Sequence, residues 1–164
     1  MTNSGDALDR VAVPQLRLSP AVLVAIALGG ALGTVARFLL SATFSDSARH
    51  FPTTTLLINL SGSLAIGLLV PLVDNFSARA PLVRPFLIVG ILGGWTTYST
   101  LAVDAVVLAK DGHAAAGVAS VAATVVGGLA LVLVGHAVGR RVLGPALGRR
   151  APERRAQDDG TVGR

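Results

Sequence analysis

Four long apolar runs, separated by short polar connectors, dominate the sequence. They lie at residues 20–44, 53–73, 85–109 and 114–139. Each holds about 20–25 residues, enough for an α-helix to cross a hydrocarbon core of roughly 30 Å. The second and fourth carry no charge, the first contains only Arg37 and the third only Asp104. Lipid offers no water to unpaired backbone groups, so spans of this composition are expected to be helical. A soluble domain of 164 residues has no core large enough to hide a chain that is 52% hydrophobic. The expected fold class is therefore an all-α integral membrane protein with four transmembrane helices.

The rest of the chain falls outside the spans. Residues 1–19 read as a polar tail, and residues 140–164 as an Arg-rich, disordered tail. The connectors are Ser45–Pro52, Asp74–Arg84 and Lys110–His113. A signal peptide is not expected, because the first apolar run starts late and is too long for an h-region. Cysteine is absent, which excludes a disulfide scaffold and a thiolate metal site.

Four spans place both termini on one side. The net charge of +5 resembles that of a nucleic-acid binder until the charges are mapped. Of the 14 basic residues, 11 fall on the side of the termini: Arg10, Arg17, Arg79, Arg84, Arg140, Arg141, Arg149, Arg150, Arg154, Arg155 and Arg164. Arg49 and Lys110 lie on the other side. The positive-inside rule then predicts cytoplasmic termini. No aromatics interleave the C-terminal arginines, so no nucleic-acid partner is expected.

Polar residues inside the spans are the candidates for function. Gly29, Gly33 and Arg37 share one face of the first helix. The glycines suit a packing seam. Arg37 either marks a partner, vestibule or anion path, or snorkels to the interface. In the second helix Asn59 either bonds to a neighbouring helix or faces a polar path. The third span reads Gly90-Ile91-Leu92-Gly93-Gly94-Trp95-Thr96-Thr97-Tyr98-Ser99-Thr100, a run of poor helix propensity. One reading is a break at mid-membrane, freeing carbonyls that suit hard cations. The other is an unbroken helix whose hydroxyls bond back to i−4 carbonyls. Asp104 is either interfacial or paired with Arg37. Ser120 and Thr124 share a face of the fourth helix, where hydroxyls either solvate an ion or bond to backbone. The three histidines have no metal-ligand spacing. No P-loop, G-x-S-x-G, H-E-x-x-H or pair of intramembrane carboxylates is present, so no enzyme is expected. Residues 20–44 lack Asp and Glu, which argues against a proton-coupled exporter of cationic drugs.

Three motifs carry a resemblance: GGALGTVARFLLS (Gly29–Ser41), FPTTTLLINLSGSLAIG (Phe51–Gly67) and GILGGWTTYST (Gly90–Thr100). With these in order over about residues 22–138, the sequence resembles the CrcB/Fluc family of fluoride channels. The resemblance implies a four-helix subunit in an antiparallel dimer, with the third helix broken at mid-membrane. It implies a structural sodium ion, not transported, held by the backbone carbonyls of Gly93 and Thr96. It places the family's pore asparagine on Asn59, its arginine on Arg37, and its pore hydroxyls on Thr97, Ser99, Thr100, Ser120 and Thr124. The implied function is passive fluoride export across the plasma membrane.

Four positions depart from the family pattern. Tyr98 and Leu101 stand where it has phenylalanines, Thr54 where it has glycine, and Ala116 where it often has a polar or aromatic residue. An antiparallel homodimer needs one sequence to insert both ways, yet the charge bias here is strong. The expectation is therefore a heterodimer with a second subunit of the family, in preference to a homodimer. This chain is then either a conducting subunit or a non-conducting or half-conducting assembly partner.

Overall fold

A computed structural model describes residues 19–44, 51–76 and 80–148 of the chain. Residues 1–18, 45–50, 77–79 and 149–164 lie outside the described residues, and with them most of the two expected tails. The described residues are all helical or connecting, with no strand among them. Four segments are long and apolar enough to cross a membrane: Pro20–Thr43, Thr53–Asp74, Pro85–Lys110 and Ala114–Val142.

Helix α1 covers Pro20–Thr43. Its start follows from local chemistry. Ser19 caps it, accepting a hydrogen bond from Val22 N, and Pro20 occupies the first turn, where no N–H is needed. Helix α2 covers Thr53–Phe76 and contains Pro71, which lacks one helical donor. The third span is composite. A π-helix over Pro85–Leu92 leads into a single turn, α3, at Gly93–Trp95. Thr96 and Thr97 are extended, at φ −75°, ψ 154° and φ −144°, ψ 120°. Helix α4 then begins at Tyr98 and runs to Lys110. Gly112, at φ +83°, ends it. Gly112 N–H bonds to Ala109 O and His113 N–H to Leu108 O, the two bonds of a Schellman cap.

Helix α5 covers Ala114–Gly148, nine residues beyond the boundary that hydropathy indicates at residue 139. Residues 140–148, read from sequence as part of a disordered tail, are therefore helical. Arg140 and Arg141 end the apolar run, but arginine is a good helix former, so the charge does not end the helix.

Two pairs of elements pack through bare backbone. Helix α1 lies on the π-helix and α3, and α2 lies on α5, which also packs against α4. Gly29 and Gly33 are buried one α-turn apart. A Cβ on Gly29 would strike Phe86 O, and one on Gly33 would strike Ile91 O. Phe86 and Ile91 are five residues apart and share a face of the π-helix, whose bonds run i→i+5. From the other side, a Cβ on Gly90 would fall 2.9 Å from Gly29 Cα. Gly67 and Gly135 make the equivalent approach between α2 and α5. In lipid, where apolar contact alone drives little association, such close backbone packing is a main source of helix–helix affinity. Outside these seams many large apolar side chains of the spans are exposed on the single chain.

Gly33→Leu is expected to force α1 off the π-helix, because backbone rather than a flexible side chain blocks the space. The cost is about 2–3 kcal/mol. Gly30 has open space around its Cα, so Gly30→Ala is expected to be neutral or mildly stabilising. Thermal unfolding of the two purified variants in detergent distinguishes them.

Candidate functional site

The site forms where helical hydrogen bonding lapses between Trp95 and Tyr98. Backbone groups freed there in a membrane span need partners, and three elements supply them. Asn59 of α2 is 7% exposed and engages Thr97 twice. Its Nδ2 donates to Thr97 O at 2.9 Å, and Thr97 N–H donates to its Oδ1 at 2.8 Å. The side-chain amide thus does for Thr97 what a neighbouring strand would do. Arg37 of α1 donates from Nε to Gly94 O at 3.1 Å. Thr96 N–H and Thr96 Oγ1 both donate to Leu92 O, at 3.0 Å.

These bonds bear on two choices left open by the sequence. Arg37 binds a carbonyl of α3 through its Nε. Asp104 does not pair with Arg37; Thr55 Oγ1 donates to Asp104 Oδ2 at 2.6 Å, tying α2 to α4.

Downstream, a hydroxyl cluster caps α4. Thr97 Oγ1 accepts from Thr100 N–H at 3.1 Å, lies 2.9 Å from Thr100 Oγ1 and 3.3 Å from Ser99 Oγ. Three hydroxyls carry three protons, and the two contacts among them use two. One hydroxyl proton therefore remains to be donated elsewhere. The second Nδ2–H of Asn59 is a further donor. The N-terminus of α4 adds the positive end of its dipole at the same place.

The carbonyls are shared out differently. Gly94 O is taken by Arg37 and Thr97 O by Asn59. Gly93 O and Thr96 O accept no hydrogen bond among the described residues. Gly93 has open space beside its Cα.

The remaining candidates are placed as follows. Tyr98 is 82% exposed, whereas Leu101, one turn on, is 4% exposed. The two departures from the expected phenylalanines therefore differ in setting: a ring on the outer surface, an aliphatic group inside. Ser120 is 0% exposed and donates to Gly117 O at 2.8 Å, while Thr124 donates to Ser120 O at 2.8 Å. Of the two readings of that row, backbone pairing is the one adopted here. The structure brings Asn59, Thr96, Thr97, Ser99 and Thr100 together with Arg37 nearby through Gly94; Ser120 and Thr124 form no hydrogen bond with that group.

Sequence reasoning passed over Trp95, Ser61 and Thr55. Trp95 Nε1 donates to Ile58 O and Ser61 Oγ, both at 3.0 Å. The signal was present, since an indole N–H in an apolar span requires an acceptor.

Four membrane-length helices around a polar, hydrogen-bonded interruption define a helical multi-pass membrane protein. Residues 24–136 match the family described as CrcB-like protein, Camphor Resistance (CrcB), and the chain belongs to that family. Among its relatives is the Fluoride-specific ion channel FluC 2 of Nocardia farcinica. It is 39% identical over 129 residues, covering 79% of this chain and 92% of the relative. The Fluoride-specific ion channel FluC 3 of Streptomyces avermitilis is 42% identical over 127 residues, 77% of this chain and 62% of that longer protein. The Fluoride-specific ion channel FluC of Paracoccus denitrificans is 40% identical over 115 residues, 70% of this chain and 91% of the relative.

Asn59→Leu is expected to leave both Thr97 backbone groups unpaired in a buried position, a loss of about 2–4 kcal/mol. Ser120→Ala removes one hydroxyl whose bond is to Gly117 O of its own helix, and is expected to cost less than about 1 kcal/mol of stability. Chemical unfolding in micelles provides the comparison.

Proposed function

We propose that this chain is a subunit of a fluoride-specific ion channel that exports fluoride passively and lowers its cytoplasmic concentration. The observation that carries this reading is the interruption at Thr96–Thr97, lying within residues 24–136 that match the CrcB family, in a chain whose relatives include fluoride-specific channels. Fluoride is small and strongly hydrated, so a path for it must replace water with hydrogen-bond donors. Asn59, the Thr97–Ser99–Thr100 cluster and the start of α4 supply donors and positive potential together. The phenol ring edge of Tyr98 carries partial positive charge. Ser120 and Thr124 join the path by rotating their hydroxyls away from the helix carbonyls. Arg37 and Asp104 stand beside it, Arg37 adding positive charge and Asp104 fixing α4 to α2.

On this reading the interruption lies at mid-membrane, and two subunits meet there in antiparallel orientation. Gly93 O and Thr96 O fit a structural sodium ion: both are hard oxygen donors, and both lack a hydrogen-bond partner among the described residues. When bound, sodium supplies a fixed positive charge that favours a passing anion. The protein's own part is to hold the two carbonyls free by assigning their neighbours to Arg37 and Asn59.

A second reading, a non-conducting or half-conducting subunit of a heterodimer, is favoured by one observation. Leu101 is buried and aliphatic and so offers no ring edge to an anion on its side of α4. The basic excess on the side of the termini supports a single orientation in the plasma membrane, termini inside, and hence a heterodimer.

Lipid vesicles loaded with fluoride and holding this chain, alone or with its partner subunit, are expected to release fluoride and retain chloride. Retention of fluoride in both cases overturns the channel reading. Release with the partner only supports the assembly role. In cells, C-terminal reporters active only in the cytoplasm are expected; equal activity on both sides refutes the fixed orientation.

A further inference from the structure

Trp95 is the chain's only tryptophan. It lies between Gly93 and Thr96, whose carbonyls are assigned above to sodium. Its indole N–H is aimed away from them, into α2, where Ile58 O and Ser61 Oγ share it at 3.0 Å each. Ser61 Oγ itself donates to Ile58 O at 3.0 Å, so the three groups form a closed triangle. A Cβ on Gly62 would strike Thr96 Cγ2 and come within 3.1 Å of Trp95 Cδ1. The indole and the Thr96 methyl therefore lie against bare α2 backbone. One residue along α2 from Ile58, Asn59 grips Thr97 by two bonds. Thr96 is thus held from both neighbours by the same turn of α2, and by Leu92 O at its own N–H and hydroxyl. What this leaves unbonded is its carbonyl.

We infer that Trp95 is a positioning residue for the sodium site: its indole, anchored on Ile58 and Ser61, fixes the turn that aims the Gly93 and Thr96 carbonyls. The inference rests on the sodium reading of those carbonyls. It separates two jobs within α2. Asn59 satisfies the backbone of the interruption, whereas Ile58 and Ser61 hold the α3 turn in the orientation that cation binding needs. It also makes Trp95 a built-in reporter, because it stands between Gly93 and Thr96 in the turn that sodium binding would fix.

The full-length chain, freed of sodium by dialysis against N-methylglucamine chloride, is titrated with sodium chloride. Binding is followed with radioactive sodium by equilibrium dialysis. Trp95 emission in the wild type is expected to shift saturably, with the midpoint found by dialysis, and not to shift with added N-methylglucamine. Trp95→Phe keeps a ring against Gly62 but removes Nε1–H, and is expected to bind sodium about ten-fold more weakly. Ser61→Ala removes one acceptor and is expected to weaken binding about two- to three-fold. In vesicles the sodium concentration for half-maximal fluoride flux should rise by the same factors, while flux at saturating sodium matches wild type. Flux that sodium does not restore overturns the positioning role. So does wild-type affinity in both variants, although the sodium assignment then stands. Emission that stays constant through sodium saturation also overturns it. A wild-type chain that binds no sodium overturns both. If Trp95→Phe aggregates, Ser61→Ala and the wild-type emission decide.

Discussion

A backbone that stops being helical inside a membrane-length segment must find partners within the protein, and the rest of this structure is arranged around that need. Thr96 and Thr97 leave the helix, and each polar group they expose, except Thr96 O, is met by a specific element. Asn59 completes Thr97 in both directions, Arg37 takes Gly94 O, and Leu92 O receives both donors of Thr96. A buried amide left unpaired costs more than a formed bond returns. The interruption is therefore tolerable only because two other spans reach it.

The same lapse in the helix separates two kinds of polarity. Upstream of it lie carbonyls; downstream lie N–H groups and hydroxyls at the start of α4. A helix end with free carbonyls suits a cation, and a helix start suits an anion. One interruption thus presents opposite chemistries a few residues apart. Arg37 and Asn59 decide which of the carbonyls are consumed, so the residual chemistry is set by α1 and α2 and not by the third span alone.

Much of the architecture was legible because its signal is one-dimensional. Apolar runs of membrane length fix the number and order of spans, and their structural starts match hydropathy at Pro20, Thr53, Pro85 and Ala114. The end of α5 was not legible, since hydropathy reports burial in lipid and not helix continuity. At the site, the low helix propensity of Gly93 to Thr100 flags irregular backbone, yet it does not say which side chains repair it. Asn59 and Thr97 are 38 residues apart, and Thr55 and Asp104 are 49 apart. Those pairings arise from how α2 rotates against its neighbours, which glycine contacts decide in three dimensions. The π-helix is the same kind of case: it becomes intelligible only once Phe86 and Ile91 are seen facing Gly29 and Gly33.

The Arg37–Gly94 bond has a consequence for how the chain comes to be. Its two ends are 57 residues apart, so a ribosome working at about 5–20 residues per second makes Arg37 roughly 3–11 s before Gly94. During that interval a guanidinium sits in a newly made span without its eventual acceptor, and an unpaired arginine in hydrocarbon draws itself toward the headgroups. The bond that joins α1 to the turn at Gly94 can therefore form only after both spans are made, so it closes late in the assembly of the bundle.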